Sequence, residues 1–151
     1  MDCRGFVADV HLAKLAKYLR LLGFDTLYFN TIEDNELLHI AKEQNRLILS
    51  KDKRLCKRDS KRCLLINAKE LDMQVKEVLR RCPDLACKPF SRCLVDNTPL
   101  EPIEKEKILD RLPPKVKKYY TDFWICPTCG RIYWHGSHFE KMKRFIEQVC
   151  G

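Results

Sequence analysis

Short apolar runs that stop at a carboxylate mark the first half of this chain and constrain its fold more than any other feature. Phe6-Val7-Ala8 ends at Asp9, and Leu47-Ile48-Leu49-Ser50 ends just before Asp52. Between them the apolar residues Leu12, Leu15, Leu19 and Leu22 recur at helical spacing, with Lys14, Lys17 and Arg20 on other faces and Gly23 as a natural terminator. Residues 25–29 read as a second strand, and residues 34–44 as a second helix burying Leu37, Leu38 and Ala41. Cys63 to Ile66 reads as a fourth strand, followed by a helix from Leu71 to about Arg81. Strands that alternate with helices predict an α/β fold, a parallel sheet flanked by helices, because parallel neighbours need a crossover.

In such sheets the ligand crevice lies outside the carboxyl ends of the strands. Asp9 and Asp52 are therefore expected to share one crevice, with Asp34 and Glu36 opening the second helix nearby. Carboxylate oxygens suit magnesium or manganese better than zinc. Two such ions orient a water, lower its pKa and stabilise the leaving oxygen in phosphodiester hydrolysis. Capping is the plainer role: Asp9 can cap the helix that follows it, and Asp34 can be an N-cap with Asn35 and Glu36 in the first turn. A cap is needed once per helix, whereas a carboxylate ending both the first and the third strand is not.

Lys and Arg number 29 against 21 Asp and Glu, a formal net charge of +8, which favours an anionic partner through release of condensed counterions. The excess concentrates in residues 51–62, which include Lys51, Arg54 and Arg58. That run is either a solvated loop or, with Lys14, Lys17 and Arg20, a rim that contacts phosphates. No charged segment followed by a long apolar one opens the chain, and no apolar run approaches a membrane span. A cytoplasmic protein without membrane association is the expectation, and in that compartment the nine cysteines are expected as thiols and metal ligands rather than disulfides.

Prolines 83 and 89 interrupt regular structure and predict a boundary near residues 82–90. Beyond it, Cys126-Pro-Thr-Cys129-Gly is a knuckle of the kind that supplies two ligands to a structural zinc. A partner knuckle begins at Cys93, but three residues later stands Asp96. Asp96 can serve as an oxygen ligand, or His135, His138 or Cys87 can take its place, or the module has lost zinc and persists by packing. Tyr133-Trp134-His135-Gly136-Ser137-His138 reads as ribbon core followed by a tight turn, or as an edge on which Tyr133, Trp134 and His138 contact unpaired RNA.

The segment from Phe6 to Asp25, then Asp34 to Ala41, then Arg46 to Asp52 resembles the PIN-like ribonuclease domain named after the C-terminal region of the Mut-seven exonuclease. Phe90-Ser-Arg92-Cys93, Asn97, Pro99-Leu100 and Cys126 to His138 are similar to that family's attached zinc ribbon. The resemblance covers nearly the whole chain. It implies a PIN-like nuclease domain over residues 1–85 and a small C-terminal zinc-ribbon-like module over 86–151. It also implies metal-dependent RNA cleavage at Asp9, Asp34 and Asp52, with Glu36 and Asp59 as auxiliaries. Two rivals remain: a non-catalytic RNA- or ribosome-binding adaptor of the same fold, and a redox- or metal-responsive regulator. The scattered Cys3, Cys56, Cys63 and Cys150 supply no motif for the latter.

Overall fold

The computed structural model describes residues 3–151. Four strands, β1 (Phe6–Ala8), β2 (Thr26–Tyr28), β3 (Leu47–Ser50) and β4 (Cys63–Leu65), form a sheet in the order β2-β1-β3-β4. Every neighbouring pair is parallel. The alternation of side chains along a strand divides the core. Phe6, Ala8, Leu47 and Leu49 pack with α1 (Ala13–Leu21) and α4 (Leu71–Arg81), while Val7 and Ile48 pack with α2 (Asp34–Gln44) and α3 (Lys53–Arg58). The chain leaves β1 for β2 on one side and later returns to add β3 on the other. The reversal point lies between β1 and β3, where crevices of open α/β sheets form.

Residues 51–62 are not the simple loop their composition suggests. Lys53–Arg58 forms α3, with Asp52 as N-cap and Leu55 as its buried anchor. The run is too short for an apolar period to show, so capping and one leucine carry the element.

The second half builds a three-stranded antiparallel sheet, β5 (Glu101–Ile103), β6 (Phe123–Ile125) and β7 (Ile132–Tyr133), in that order. Its own core is small: Ile108, Leu112 and Phe123 are buried, with Tyr120 and Trp134 packed against them. The short α5 (Pro114–Tyr119) opens with proline in its first turn, where no N–H is required. The tight turn expected after Tyr133 leads into α6 (Ser137–Cys150), whose Phe145, Ile146 and Val149 return to the first sheet's core. Phe145 meets Tyr18 of α1 edge-on at 4.9 Å.

The connection between the halves is tied down by backbone bonds. Lys88 and Phe90 donate N–H bonds to the carbonyls of Leu22 and Leu21 at 2.8 and 2.9 Å. Gly23 makes this approach possible: at φ +92, a Cβ there would lie 2.3 Å from the Lys88 carbonyl oxygen. Asn97 reaches back to β2, accepting from the Thr26 N–H at 2.9 Å and donating to Asp25 at 2.6 Å, and Asp25 pairs with Arg46 at 2.8 Å.

Disulfides correct the expectation of nine thiols and metal ligands. Cys3 is joined to Cys82, Cys56 to Cys63 and Cys87 to Cys150. The two long-range bridges, spanning 79 and 63 residues, each restrict the unfolded chain by about 4 kcal/mol in the loop-entropy picture. Cys93, Cys126 and Cys129 remain unpaired. Among the described residues no helix is long and apolar enough to cross a membrane.

Candidate functional site

β1 and β3 run side by side with Ala8 opposite Leu49, so the next residues, Asp9 and Ser50, emerge together at the carboxyl end of the sheet. Asp9 is buried, at 8% exposure. One of its carboxylate oxygens accepts from the His11 N–H at 3.1 Å and the other from the Ser50 hydroxyl at 2.8 Å. Ser50 is fully buried, and its oxygen accepts in turn from the Asp52 N–H at 2.9 Å. One hydroxyl therefore sets the spacing of both aspartates. The exposed Asp52 accepts from the N–H groups of Arg54 and Leu55 at 2.8 and 3.4 Å. Both residues cap the turns that follow them, as their plainer role requires.

The ion pairs among the described residues are Asp25–Arg46 and Asp59–Arg62, so no Lys or Arg neutralises Asp9 or Asp52 there. Asp34 and Glu36 are exposed in the first turn of α2. The N-cap position belongs to Glu33, without a side-chain cap bond, which corrects the reading of Asp34 as the cap. Between Asp34 and Glu36, Asn35 accepts from the guanidinium of Arg58, so α2 is linked to α3 beside the crevice. Asp59 pairs with Arg62 at 3.3 Å at the far end of α3.

The cations divide. Lys14 and Lys17 are exposed on α1; Lys51, Arg54 and Arg58 are exposed after β3. Lys51 reaches the Ala68 carbonyl at 2.9 Å. Arg20 is not among the exposed cations, and its reading as a phosphate contact is corrected. It is 7% exposed and donates to the carbonyls of Thr26, Leu94 and Val95 at 2.8 to 3.1 Å, clamping the second half onto β2. Desolvation lowers its pKa, an effect countered by the nearby Cys93, Asp96 and Asp25.

The second constellation is closed. Cys93, Asp96, Cys126 and Cys129 offer one donor atom each, all within 4.8 Å of one another, and could hold a metal ion. They are the only group of three or more His, Cys, Asp or Glu that meets this criterion among the described residues; the aspartates of the crevice do not. Cys93 Sγ lies 3.8 Å from Cys129 Sγ, and Cys126 Sγ lies 3.2 and 3.3 Å from the two Asp96 oxygens. The two knuckles match in backbone as well as spacing: Asn97 at φ 74 follows Asp96, and Gly130 at φ 79 follows Cys129. Asp96 thus occupies the place of a second cysteine.

Burial alone would raise the Asp96 carboxyl, but bonds from Thr98 and Cys126 hold it well below the usual range. At Cys129 a backbone bond from Arg131 favours the thiolate, yet desolvation and the neighbouring Cys126, Cys93 and Asp96 push it up to about 11. The other residues considered for the fourth place lie elsewhere. Cys87 is in a disulfide, and His135 is stacked between Trp124 and Phe139 at 4.5 and 4.0 Å.

Tyr133 turns its hydroxyl into this cluster, 3.1 Å from Cys93 Sγ, and accepts from the Leu94 N–H at 3.2 Å. Burial and Cys93 push its pKa far above the ordinary phenol value. Trp134 is half-buried against Phe123, while His138 is exposed on the first turn of α6. The sequence reading missed Ser50, although a hydroxyl between two strand-end carboxylates was visible as Ser50-Lys51-Asp52. No curated protein and no solved structure matched the chain. The family model described as the Mut7-C RNAse domain matches residues 4–146, nearly the whole length, and the chain belongs to that family.

Proposed function

We propose that the chain is a divalent-metal-dependent ribonuclease that hydrolyses RNA phosphodiester bonds endonucleolytically. The observation that carries this reading is the pair Asp9 and Asp52, at the ends of adjacent strands beside the sheet's reversal point and joined by Ser50. Membership of an RNAse-domain family supports it.

A magnesium or manganese ion fits the residues present. Asp9 is a buried carboxylate that no Lys or Arg among the described residues pairs with, so its charge is left for a bound cation. Its donors and those of Asp52 are oxygens, and magnesium commonly takes only one or two carboxylates, filling its shell with water and substrate phosphate. That habit accommodates a site with few protein carboxylates. Such an ion, when bound, lowers the pKa of water and stabilises charge on the leaving oxygen. Asp9 and Asp52 would hold it together with Asp34, which is exposed in the first turn of α2, with Glu36 and Asp59 as auxiliaries. Lys14, Lys17, Lys51, Arg54 and Arg58 would hold the flanking phosphates.

We assign residues 1–85 to the nuclease and 86–151 to a zinc-ribbon-like module that helps grip RNA. Three sulfurs and one oxygen suit zinc, and a tetrahedron with Zn–S bonds of about 2.3 Å has an edge of about 3.8 Å. The Cys93–Cys129 separation equals that edge. The expected cytoplasmic setting has the least support, since three disulfides fit an oxidising compartment.

Cleavage of structured and unstructured RNAs in manganese tests the reading. Asp9→Asn and Asp52→Asn should each reduce turnover at least about a hundredfold without unfolding the chain. Wild-type turnover in either variant would reject the assignment. The adaptor reading draws on the capping roles of both aspartates, which need no chemistry. It predicts RNA binding by a wild-type protein that cleaves nothing.

A further inference from the structure

A cavity of about 560 Å³ lies where α1 faces the second half, with Tyr133 between it and the cysteine cluster. From α1 it takes Lys17 and Leu21; from the antiparallel sheet and the chain beyond it, Trp124, Tyr133, Trp134 and His135; from α6, His138 and Phe139. Its volume is in the range of sites that hold small organic molecules. Three planar rings form a column beside it: Trp124 on His135 at 4.5 Å and 17°, and His135 on Phe139 at 4.0 Å and 13°. Phe90 packs against the side of the column, tilted, 4.5 Å from Phe139 and 5.3 Å from His135.

The charged side chains that line the cavity beside this aromatic wall are cationic, while Asp122 acts on His135 from outside the lining. Lys17, Lys115 and Arg92 line the cavity with the imidazoles of His135 and His138, and none of the lining residues is acidic. Arg92 is committed to the carbonyls of Gly23 and Asn97, whereas Lys17 and Lys115 are exposed. An aromatic wall whose lining charges are cationic disfavours cations and complements a planar, anionic ligand.

We infer that this cavity receives an unpaired base of an RNA strand, with its flanking phosphates on Lys17 and Lys115. Since both faces of His135 are covered, stacking suits the end rings of the column, because every base has a π-face, and it demands a base free of a pairing partner. The placement along α1 connects the cavity to the crevice. Lys14 lies one helical turn before Lys17 on the same face, and Asp9 immediately precedes the helical segment. Roughly 12 Å of helix separates Asp9 from Lys17. A strand anchored in the cavity can therefore run its phosphates past Lys17 and Lys14 to the aspartates, which would select single-stranded or bulged substrate. This inference rests on the ribonuclease reading only in taking RNA as the polymer.

The chain's two tryptophans, Trp124 and Trp134, both line the cavity, so intrinsic fluorescence reports its occupation. Full-length protein is titrated with a non-cleavable 2′-O-methyl oligouridine, with the matched duplex, and with heparin as a polyanion without bases. Quenching by the single strand alone is expected. His135→Ala and Lys115→Glu, both at exposed positions, should weaken that binding about tenfold each while circular dichroism is unchanged. Equal quenching by heparin or duplex, no quenching by the single strand, or wild-type affinity in both variants would overturn the inference. Asp9→Asn should keep the quenching. Protein that cleaves RNA without quenching loses the cavity assignment alone, and protein that quenches without cleaving loses the nuclease reading alone.

Discussion

The crevice at Asp9 and the cluster at Cys93 solve opposite problems with the same amount of ligand chemistry. Asp9, Ser50 and Asp52 are held by a parallel sheet whose packed strands already fix their positions, without forming a closed set of three or more donors. The cluster draws its four donors within 4.8 Å on a module whose buried apolar core is Ile108, Leu112 and Phe123. Where packing supplies the scaffold, ligands can leave room for water and substrate. Where packing is scarce, closed ligation has to supply folding energy.

The largest effect expected from this contrast is on the second half. Cys126→Ser, or chelation, should remove the metal and expose the β5-β6-β7 amides to hydrogen exchange, while the parallel sheet stays protected. Structural zinc contributes on the order of 10 kcal/mol in small modules, so partial effects are not expected. Elemental analysis of metal-replete protein checks the premise. Less than a tenth of an equivalent of zinc would erase the contrast, leaving a ribbon held by packing and by Cys87–Cys150.

Ser50→Ala probes the other side. Loss of the hydroxyl between Asp9 and Asp52 should reduce manganese affinity or turnover by roughly 10- to 100-fold, as when a ligand's hydrogen-bonding neighbour is removed. Stability should fall by only about 1 kcal/mol. A rise in the manganese concentration needed for half-maximal rate separates this positioning role from a merely structural one.

Between the two regions lies Asp25, held by Arg46 and Asn97. Burial acts to raise its carboxyl, but these bonds and the Arg46 charge bring it below the ordinary 3.8. The stability it contributes is therefore present above pH 3.8 and is lost as pH falls through the lower folded value. Asp25→Asn should unfold more easily than wild type near neutrality, and the gap should narrow in acid. A constant gap down to the acid transition would assign the effect to shape rather than charge.

The smallest effect belongs to the exposed cations. Replacing Lys14 and Lys17 by Gln should weaken binding of all RNA sequences alike and reduce the salt slope by about one for each phosphate no longer neutralised. An unchanged slope would make them a solvated face.

Legibility followed range. The order of β1 to β4 with α1, α2 and α4 could be read because each of these elements carries its own apolar pattern or ends on its own signal, such as Gly23 after α1, whereas the short α3 carries no period and was not read. The donor set Cys93, Asp96, Cys126 and Cys129 was readable as two equal spacings, one with an unusual residue. α6 was overlooked although Phe139, Met142, Phe145, Ile146 and Val149 recur at helical intervals.

Arg20 marks the limit. Its position on α1 says only that it lies off the apolar face, and the carbonyls that bury it come from residues 74 and 75 positions away. The pairing of Cys3 with Cys82 depends likewise on which core the α4 end meets, and the strand order β2-β1-β3-β4 on which edge accepts β3. From sequence alone came the alternating strands and helices of the first half, the grouping of Cys93, Asp96, Cys126 and Cys129 and the sign of the charge, since all are local chemistry. Tertiary structure decided which cations face solvent, which cysteines pair, and that a hydroxyl joins the two aspartates, because each depends on a partner distant along the chain.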